Sequence, residues 1–73
     1  TPEHLLLSEE IRSTIQQAIN DLPDELRNAI SYRELDGMSY EEIAQKMKCP
    51  VGTVRSRIFR AREAVDKILK PLL

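Results

Sequence analysis

The fold of this chain is decided by residues 39–60, which read SYEEIAQKMKCPVGTVRSRIFR. Ser39 followed three residues later by Glu42 is the pattern of a capping box, in which each side chain accepts a hydrogen bond from the other residue's backbone amide. The stretch therefore predicts a short helix from about Tyr40 to Met47. Pro50, three residues further on, breaks the helical pattern, and a second helix is predicted to follow it.

The turn between these two helices has the spacing of a helix-turn-helix. Two helices joined by so short a turn can cross steeply only where a small residue lies at the crossing, and Ala44 occupies that position. Cys49 supplies a small apolar side chain within the turn, while Val54 and Ile58 are expected to anchor the second helix beneath the first. All four residues are expected to be buried together at the crossing. Lys48 stands where the turn needs a positive φ, which glycine or asparagine adopts more easily.

Apolar residues at helical spacing extend the pattern on both sides, which predicts an all-α fold, a four-helix domain containing a helix-turn-helix. A first helix is predicted over about 9–21 with Ser8 as its N-cap, and a second starts at Pro23 and stops at Gly37. The longest helix covers about 51–69. The inward-facing residues of these three helices are, in turn, Ile11, Ile15, Ala18, Ile19 and Leu22, then Leu26, Ala29, Ile30 and Leu35, then Val54, Ile58, Ala61, Val65, Ile68 and Leu69.

Charge is distributed unevenly along the 73 residues, although the net charge is only −1. Residues 1–45 carry three basic and ten acidic side chains, whereas residues 46–73 carry eight basic and two acidic ones. A split of −7 against +6 favours two working surfaces of opposite sign on one small domain. Residues 1–7 are expected to be an extended linker end, and residues 8–73 the domain.

The outward face of the last helix carries the pattern of a DNA-binding surface. Phe59 points away from the predicted core and lies among basic and polar residues, which suits contact with thymine methyl groups or base edges. Arg55 and Arg60 can each bond a guanine through two acceptors, and Ser56 can bond donor or acceptor edges. These four residues are the predicted base contacts. The predicted phosphate contacts, which position a domain without recognising sequence, include Arg57, Arg62, Lys46, Lys48 and Thr53.

Other classes of protein fit the sequence poorly. No apolar run approaches the roughly 18 residues of a membrane span, and the start of the chain lacks the basic segment of a signal peptide. The single cysteine, Cys49, fits a reducing compartment and hence a cytoplasmic location. His4 is the only histidine and lies far from Cys49 in sequence, so neither a metal site nor a catalytic residue is expected. No enzyme activity, cofactor, small-molecule ligand or membrane insertion is predicted.

Three runs of this sequence resemble region 4 of RNA polymerase sigma factors. They are residues 22–30 (LPDELRNAI), residues 32–44 (YRELDGMSYEEIA) and residues 52–63 (GTVRSRIFRARE). The resemblance covers nearly the whole chain and is closest to the extracytoplasmic-function group, of the sigma-E type that answers envelope stress. Pro50 departs from it, because some relatives have a serine there as a helix cap.

The resemblance implies that the chain recognises the promoter −35 element, with Arg55, Ser56, Phe59 and Arg60 as the positions that face the bases. It places Arg33 and Tyr40 near the DNA backbone. It also implies a protein partner for the acidic half, namely the flap-tip helix of the β subunit of RNA polymerase core. That helix is expected in an apolar groove near Ile15, Ile19 and Leu26, where an anti-sigma factor could compete. The promoter-melting region 2 of the family has no counterpart here, which favours a fragment of a longer protein.

Other interpretations of the same residues stay open from sequence alone. An ordinary bundle of four helices would share the apolar stripes, and the acidic residues could be solvated helix faces. The DNA-binding output domain of a two-component response regulator is also a small four-helix unit, although it typically lacks a face such as SRIFRAR. A protein-interaction module would use the basic face for an acidic partner, but the exposed Phe59 and the turn pattern favour DNA.

Overall fold

The computed structural model describes residues 2–72, with side chains from residue 8 onward. Its helices are α1 (Pro2–Asn20), α2 (Asp24–Glu34), α3 (Tyr40–Met47) and α4 (Val51–Leu69), followed by a short 3-10 turn, Lys70–Leu72. No strand occurs within the described residues. The predicted all-α fold of four helices is therefore confirmed.

Helix α1 begins earlier than the sequence indicated. An extended entry and a cap at Ser8 were expected, but the backbone is helical from Pro2. Proline is well tolerated in the first turn of a helix because its missing amide hydrogen needs no partner there. No glycine or further proline interrupts the chain before Pro23, so nothing stops the helix at Ser8. The assignment of residues 1–7 to a linker stays a prediction.

Helix α2 ends as predicted, but the last residue of its predicted inner stripe is exposed. Gly37 adopts a φ of +66°, and the amide of Met38 donates to the carbonyl of Tyr32 across this turn. Leu35 was expected on the inner stripe, but 76% of it is exposed. Five residues beyond Ile30, at about 100° each, Leu35 points roughly 140° away from that buried residue, so the expected stripe had the wrong period.

The capping box at the start of α3 is present as predicted. The Ser39 hydroxyl accepts from the Glu42 amide at 3.1 Å, and the Glu42 carboxylate accepts from the Ser39 amide at 3.0 Å. The Ser39 backbone amide and, next, the Ser39 side chain hold the pKa of Glu42 below its ordinary value, since donors to the carboxylate favour its charged form. The capping box thereby sets the start of α3 at Tyr40.

The turn between α3 and α4 uses a left-handed residue. Lys48 has a φ of 55°, as its position predicted, and a non-glycine residue there costs on the order of 1 kcal/mol. The Cys49 amide donates to the Ala44 carbonyl at 3.0 Å, which closes the turn. Helix α4 starts behind Pro50 without a side-chain cap, and the Pro50 carbonyl accepts from the amides of Thr53 and Val54. The turn thus sets the crossing of the two helices.

Packing at that crossing forms the main core. Ala44, Val54 and Ile58 are buried in one cluster, as predicted, whereas Cys49, expected to be buried with them, packs against them half-buried. Ala29 and Ile43 complete the cluster, while Leu22, Ile30 and Ala61 form a second buried cluster. Ile68, expected inward, is 45% exposed because it lies in the last turn of α4, beyond the last buried residue of that helix.

Replacing Ala44 with leucine should destabilise the domain by about 1–3 kcal/mol, because three extra carbon atoms enter a filled crossing. Urea unfolding followed by circular dichroism measures this. Gln45→Leu is the matched control, since the neighbouring Gln45 is exposed and should change the free energy of unfolding by less than about 0.5 kcal/mol. Equal stability of the two variants would place the crossing elsewhere.

Candidate nucleic-acid interface

Helix α4 presents a polar face on the side opposite its core residues. Val54, Ile58, Ala61 and Val65 are buried and fix the helix from below. The opposite side is formed by Ser56, Phe59, Arg60 and Glu63, all of which are exposed. Phe59 is 66% exposed, as its helical position predicted. Phe59 therefore belongs to the exposed surface beside the arginines and not to the core.

Two of the arginines on this helix have no carboxylate partner within the described residues, and they are Arg55 and Arg60. Arg60 also makes no hydrogen bond there. Arg55 lies over the ring of Tyr40, with its Cζ 5.7 Å from the ring centroid. Both guanidinium groups keep their donors available to an acceptor outside the protein. These are the two arginines that the sequence placed against the bases.

The other two arginines of α4 are paired with acidic residues of α2. Arg57 lies 3.6 Å from a carboxylate oxygen of Glu25 and also donates to the Cys49 sulfur at 3.7 Å. Its side chain is only 19% exposed. Arg62 forms a salt bridge with Glu34, and this hydrogen bond raises the pKa of the guanidinium above its ordinary value. Sequence reasoning gave both arginines to phosphate and missed these pairs, because it cannot locate α2 beside α4.

The remaining predicted phosphate contacts lie on three helices and on the turn between two of them. Arg33, near the end of α2, donates to the Met38 carbonyl at 3.0 Å and lies 4.9 Å from the Tyr40 ring centroid. Lys46 lies over the ring of Tyr32 at 5.3 Å. The three others are Tyr40 at the start of α3, Lys48 in the turn and Thr53 in the first turn of α4. The fold thus joins Arg33, Tyr40 and Arg55 into one stack, which no spacing in the sequence signals.

An apolar groove opens on another side of the molecule, where α1 passes the end of α2 and α4. Ile15 and Ile19 border it, as predicted, together with Ile11, Leu35 and Val65. Its polar rim contains Arg12, Gln16, Glu34, Arg62 and Asp66. Leu26 does not border this groove, contrary to the prediction. It lies in the first turn of α2 and packs against Leu22, Ile30 and Ala61, whereas the groove lies at the opposite end of α2.

The described residues contain no cluster of three or more histidine, cysteine or acidic side chains that could hold a metal ion. His4 lies where only the backbone is described. No helix within residues 2–72 is long and apolar enough to cross a membrane. The candidate site is therefore the basic face of α4 together with the capped start of α3.

A short capped helix, a left-handed turn and a longer helix with an exposed basic face define a DNA-binding helix-turn-helix domain. The family described as Sigma-70, region 4, matches residues 12–65. The chain therefore belongs to the region 4 family of sigma-70 factors. Its lack of enzyme activity follows from that membership, since these factors are not enzymes.

Two groups of curated relatives match all or nearly all of the chain. The chain is 60% identical over 73 residues to the RNA polymerase sigma-H factor of Pseudomonas aeruginosa. It is 64% identical over 72 residues to the ECF RNA polymerase sigma-E factors of Escherichia coli and Salmonella typhi, which is 99% of the chain. It spans 38% of the length of each of these relatives.

Replacing Phe59 with alanine should leave the free energy of unfolding within about 0.5 kcal/mol of the parent, because the ring contributes nothing to the core. Ile58→Ala, one residue away and 2% exposed, should cost about 2–5 kcal/mol. Thermal and urea unfolding of the two variants side by side measures the orientation of α4. A large loss of stability in Phe59→Ala would mean that the exposed face is wrongly assigned.

Proposed function

We propose that this chain is the domain of an alternative sigma factor that binds the promoter −35 element. By recognising this element, it directs RNA polymerase in the cytoplasm to stress-response genes. The observation that carries the proposal is the pair of exposed arginines, Arg55 and Arg60, that lack a carboxylate partner within the described residues. They flank Phe59 on a helix that the turn and the core hold rigidly. Membership in the region 4 family supports the same assignment.

The chemistry of this face suits direct contact with bases in the major groove. A guanidinium can donate two parallel hydrogen bonds to the O6 and N7 acceptors of guanine. Phe59 offers an apolar surface of the kind that contacts a thymine methyl group, and the Ser56 hydroxyl can donate or accept. Arg60 and Arg55 therefore provide most of the discrimination between base pairs, while Phe59 and Ser56 refine it.

Phosphate contacts position the domain on the duplex. Lys46 and Lys48 are exposed and carry no salt bridge within the described residues, so they can approach the backbone directly. Arg33, Tyr40 and Thr53 belong to the same predicted set. Arg57 and Arg62 must exchange Glu25 and Glu34 for phosphate. The pair of Arg62 with Glu34 is about half exposed, and such pairs contribute only about 0–1 kcal/mol, so its exchange has a small energetic cost.

The stress-response part of the proposal rests on the resemblance to sigma-E factors, and it concerns the whole parent protein. Curated relatives named RNA polymerase sigma-H factor and ECF RNA polymerase sigma-E factor support the assignment to a sigma factor itself. The sigma factor that contains this domain would act in the cytoplasm, where RNA polymerase and promoter DNA are found in bacteria. The sequence preference of this domain would then select the genes that are transcribed.

The apolar groove beside α1 is the proposed site for a protein partner. We assign it to the flap-tip helix of the polymerase β subunit, because an amphipathic helix places its apolar side chains into a groove of this kind. Ile15, Ile19 and Leu35 supply the apolar floor and edge. An anti-sigma factor that covered the same groove would block transcription by occupancy.

Arg60→Ala should cost about 1–3 kcal/mol of binding free energy at the preferred site and flatten the preference at one or two base pairs. Selection from random duplex DNA, followed by titration of single-base variants, measures both quantities. Lys67→Ala is the matched control, since Lys67 is an exposed cation two turns further along α4. It should leave the order of preferred sites unchanged.

An Arg60→Ala variant that binds the preferred site as tightly as the parent would contradict base recognition by α4. A Lys67→Ala variant that lost the same preference would show that net charge, rather than a positioned guanidinium, determines it. In that case the domain would be a general DNA-binding module.

Leu35→Glu should weaken binding to RNA polymerase core by more than about 1 kcal/mol while leaving DNA preference intact, because it places a charge at the edge of the groove. Leu35 is 76% exposed, so the fold should tolerate the change. Ile68→Glu adds the same charge at an exposed apolar residue that does not border the groove, and it should bind polymerase normally. Equal effects of the two changes would remove the groove from the proposal.

A further inference from the structure

Two guanidinium groups from two different helices lie within cation–π distance of the Tyr40 ring. Arg33 of α2 places its Cζ 4.9 Å from the ring centroid, and Arg55 of α4 places its Cζ at 5.7 Å. Both distances lie within the roughly 6 Å over which an aromatic face attracts a cation. Tyr40 is the first residue of α3, so this stack joins three helices at one point of the DNA-binding face.

A hydrogen bond to the protein backbone fixes the position of Arg33 beside the Tyr40 ring. Arg33 donates to the Met38 carbonyl at 3.0 Å, in the turn that leads into α3. Tyr40 itself is half-buried and packs against the core cluster that contains Ile43 and Val54. The ring therefore keeps one orientation, set by the capping box below it and by Arg33 beside it.

Arg55 depends on this ring for its own orientation. Within the part of the chain that the structure describes, it forms no salt bridge and no hydrogen bond, and its guanidinium lies near no aromatic ring other than that of Tyr40. A long exposed side chain without a partner samples many rotamers, and ordering it on a base costs entropy. A guanidinium already held over a fixed ring loses less of that freedom when it binds.

We infer that Tyr40 is a positioning residue for base recognition, whose ring holds the guanidinium of Arg55 toward the DNA independently of any contact made by its hydroxyl. This inference rests on the proposed function, because it concerns the arginine assigned there to a base. Arg60 lies over no aromatic ring within the described residues. The base pair that Arg60 contacts therefore serves as an internal reference for the one that Arg55 contacts.

Two substitutions separate the ring from the hydroxyl. Tyr40→Phe keeps the ring and removes the hydroxyl, so affinity should fall by the same factor for every duplex. Tyr40→Leu removes both, and should also reduce discrimination about two- to fivefold at the base pair of Arg55, the value of an exposed cation–π contact. Discrimination at the base pair of Arg60 should match the parent in both variants.

The experiment titrates the parent chain, the two Tyr40 variants, Arg55→Ala and Arg60→Ala against the selected duplex and all its single-base-pair variants. The two alanine variants identify the base pair that each arginine contacts. Thermal unfolding of each variant confirms that binding is measured on folded protein. The inference is overturned if Tyr40→Leu keeps the parent profile, or if Tyr40→Phe flattens the same base pair as Tyr40→Leu does.

A measurement on the free parent chain keeps the inference testable even if Tyr40→Leu fails to fold. The ring current of Tyr40 should shift the side-chain proton signals of Arg55 upfield in the NMR spectrum, and should leave those of Arg60 unshifted. Tyr40→Phe should retain the shift. Unshifted Arg55 signals would overturn the positioning role whatever the DNA titrations give.

Failure of the proposed function would look different. In that case the chain without substitutions would already show no preference among DNA sequences. The inference about Tyr40 would then be overturned together with the proposed function. A parent chain with a clear preference that Tyr40→Leu leaves unaltered would overturn the inference alone.

Discussion

The close contact of α3 with α4 at Ala44 is the constraint on which the rest of this structure depends. A methyl side chain there lets Val54 and Ile58 reach the buried cluster, which fixes the rotation of α4 about its own axis. That rotation alone determines that Phe59 and Arg60 point outward. The left-handed turn at Lys48 and the capping box at Ser39 set where each helix begins, so the functional face follows from packing and capping together.

Salt bridges between α2 and α4 divide the four arginines of α4 into two groups. Acidic residues of α2 hold Arg57 and Arg62, whereas Arg55 and Arg60 have no carboxylate within the described residues. The split of charge along the sequence is thus more than a contrast between two surfaces, because part of the acidic half neutralises part of the basic half. The arginines left without a carboxylate are those assigned to the bases, and this links the fold to the proposed recognition.

Much of this arrangement could be predicted from the sequence because the signals are local. The capping box, the positive φ at Lys48 and the exposure of Phe59 each depend on residues within a few positions of one another. Leu35 was misplaced by a wrong helical period, and the other misplaced features depend on longer distances or on a missing stop signal. The early start of α1 had no residue to mark it, and the pairs of Arg57 and Arg62, like the stack on Tyr40, require knowledge of how helices pack.

The most direct test of the account is an NMR titration of the isotopically labelled chain with a duplex that carries its selected site. The account predicts that backbone amide signals change most along α4 between Arg55 and Arg60, and next at the start of α3. Signals of Ile11, Ile15 and Ile19 on α1 should remain in place, because that side faces the proposed protein partner. Changes centred on α1, with α4 unaffected, would contradict the claim that α4 recognises the bases.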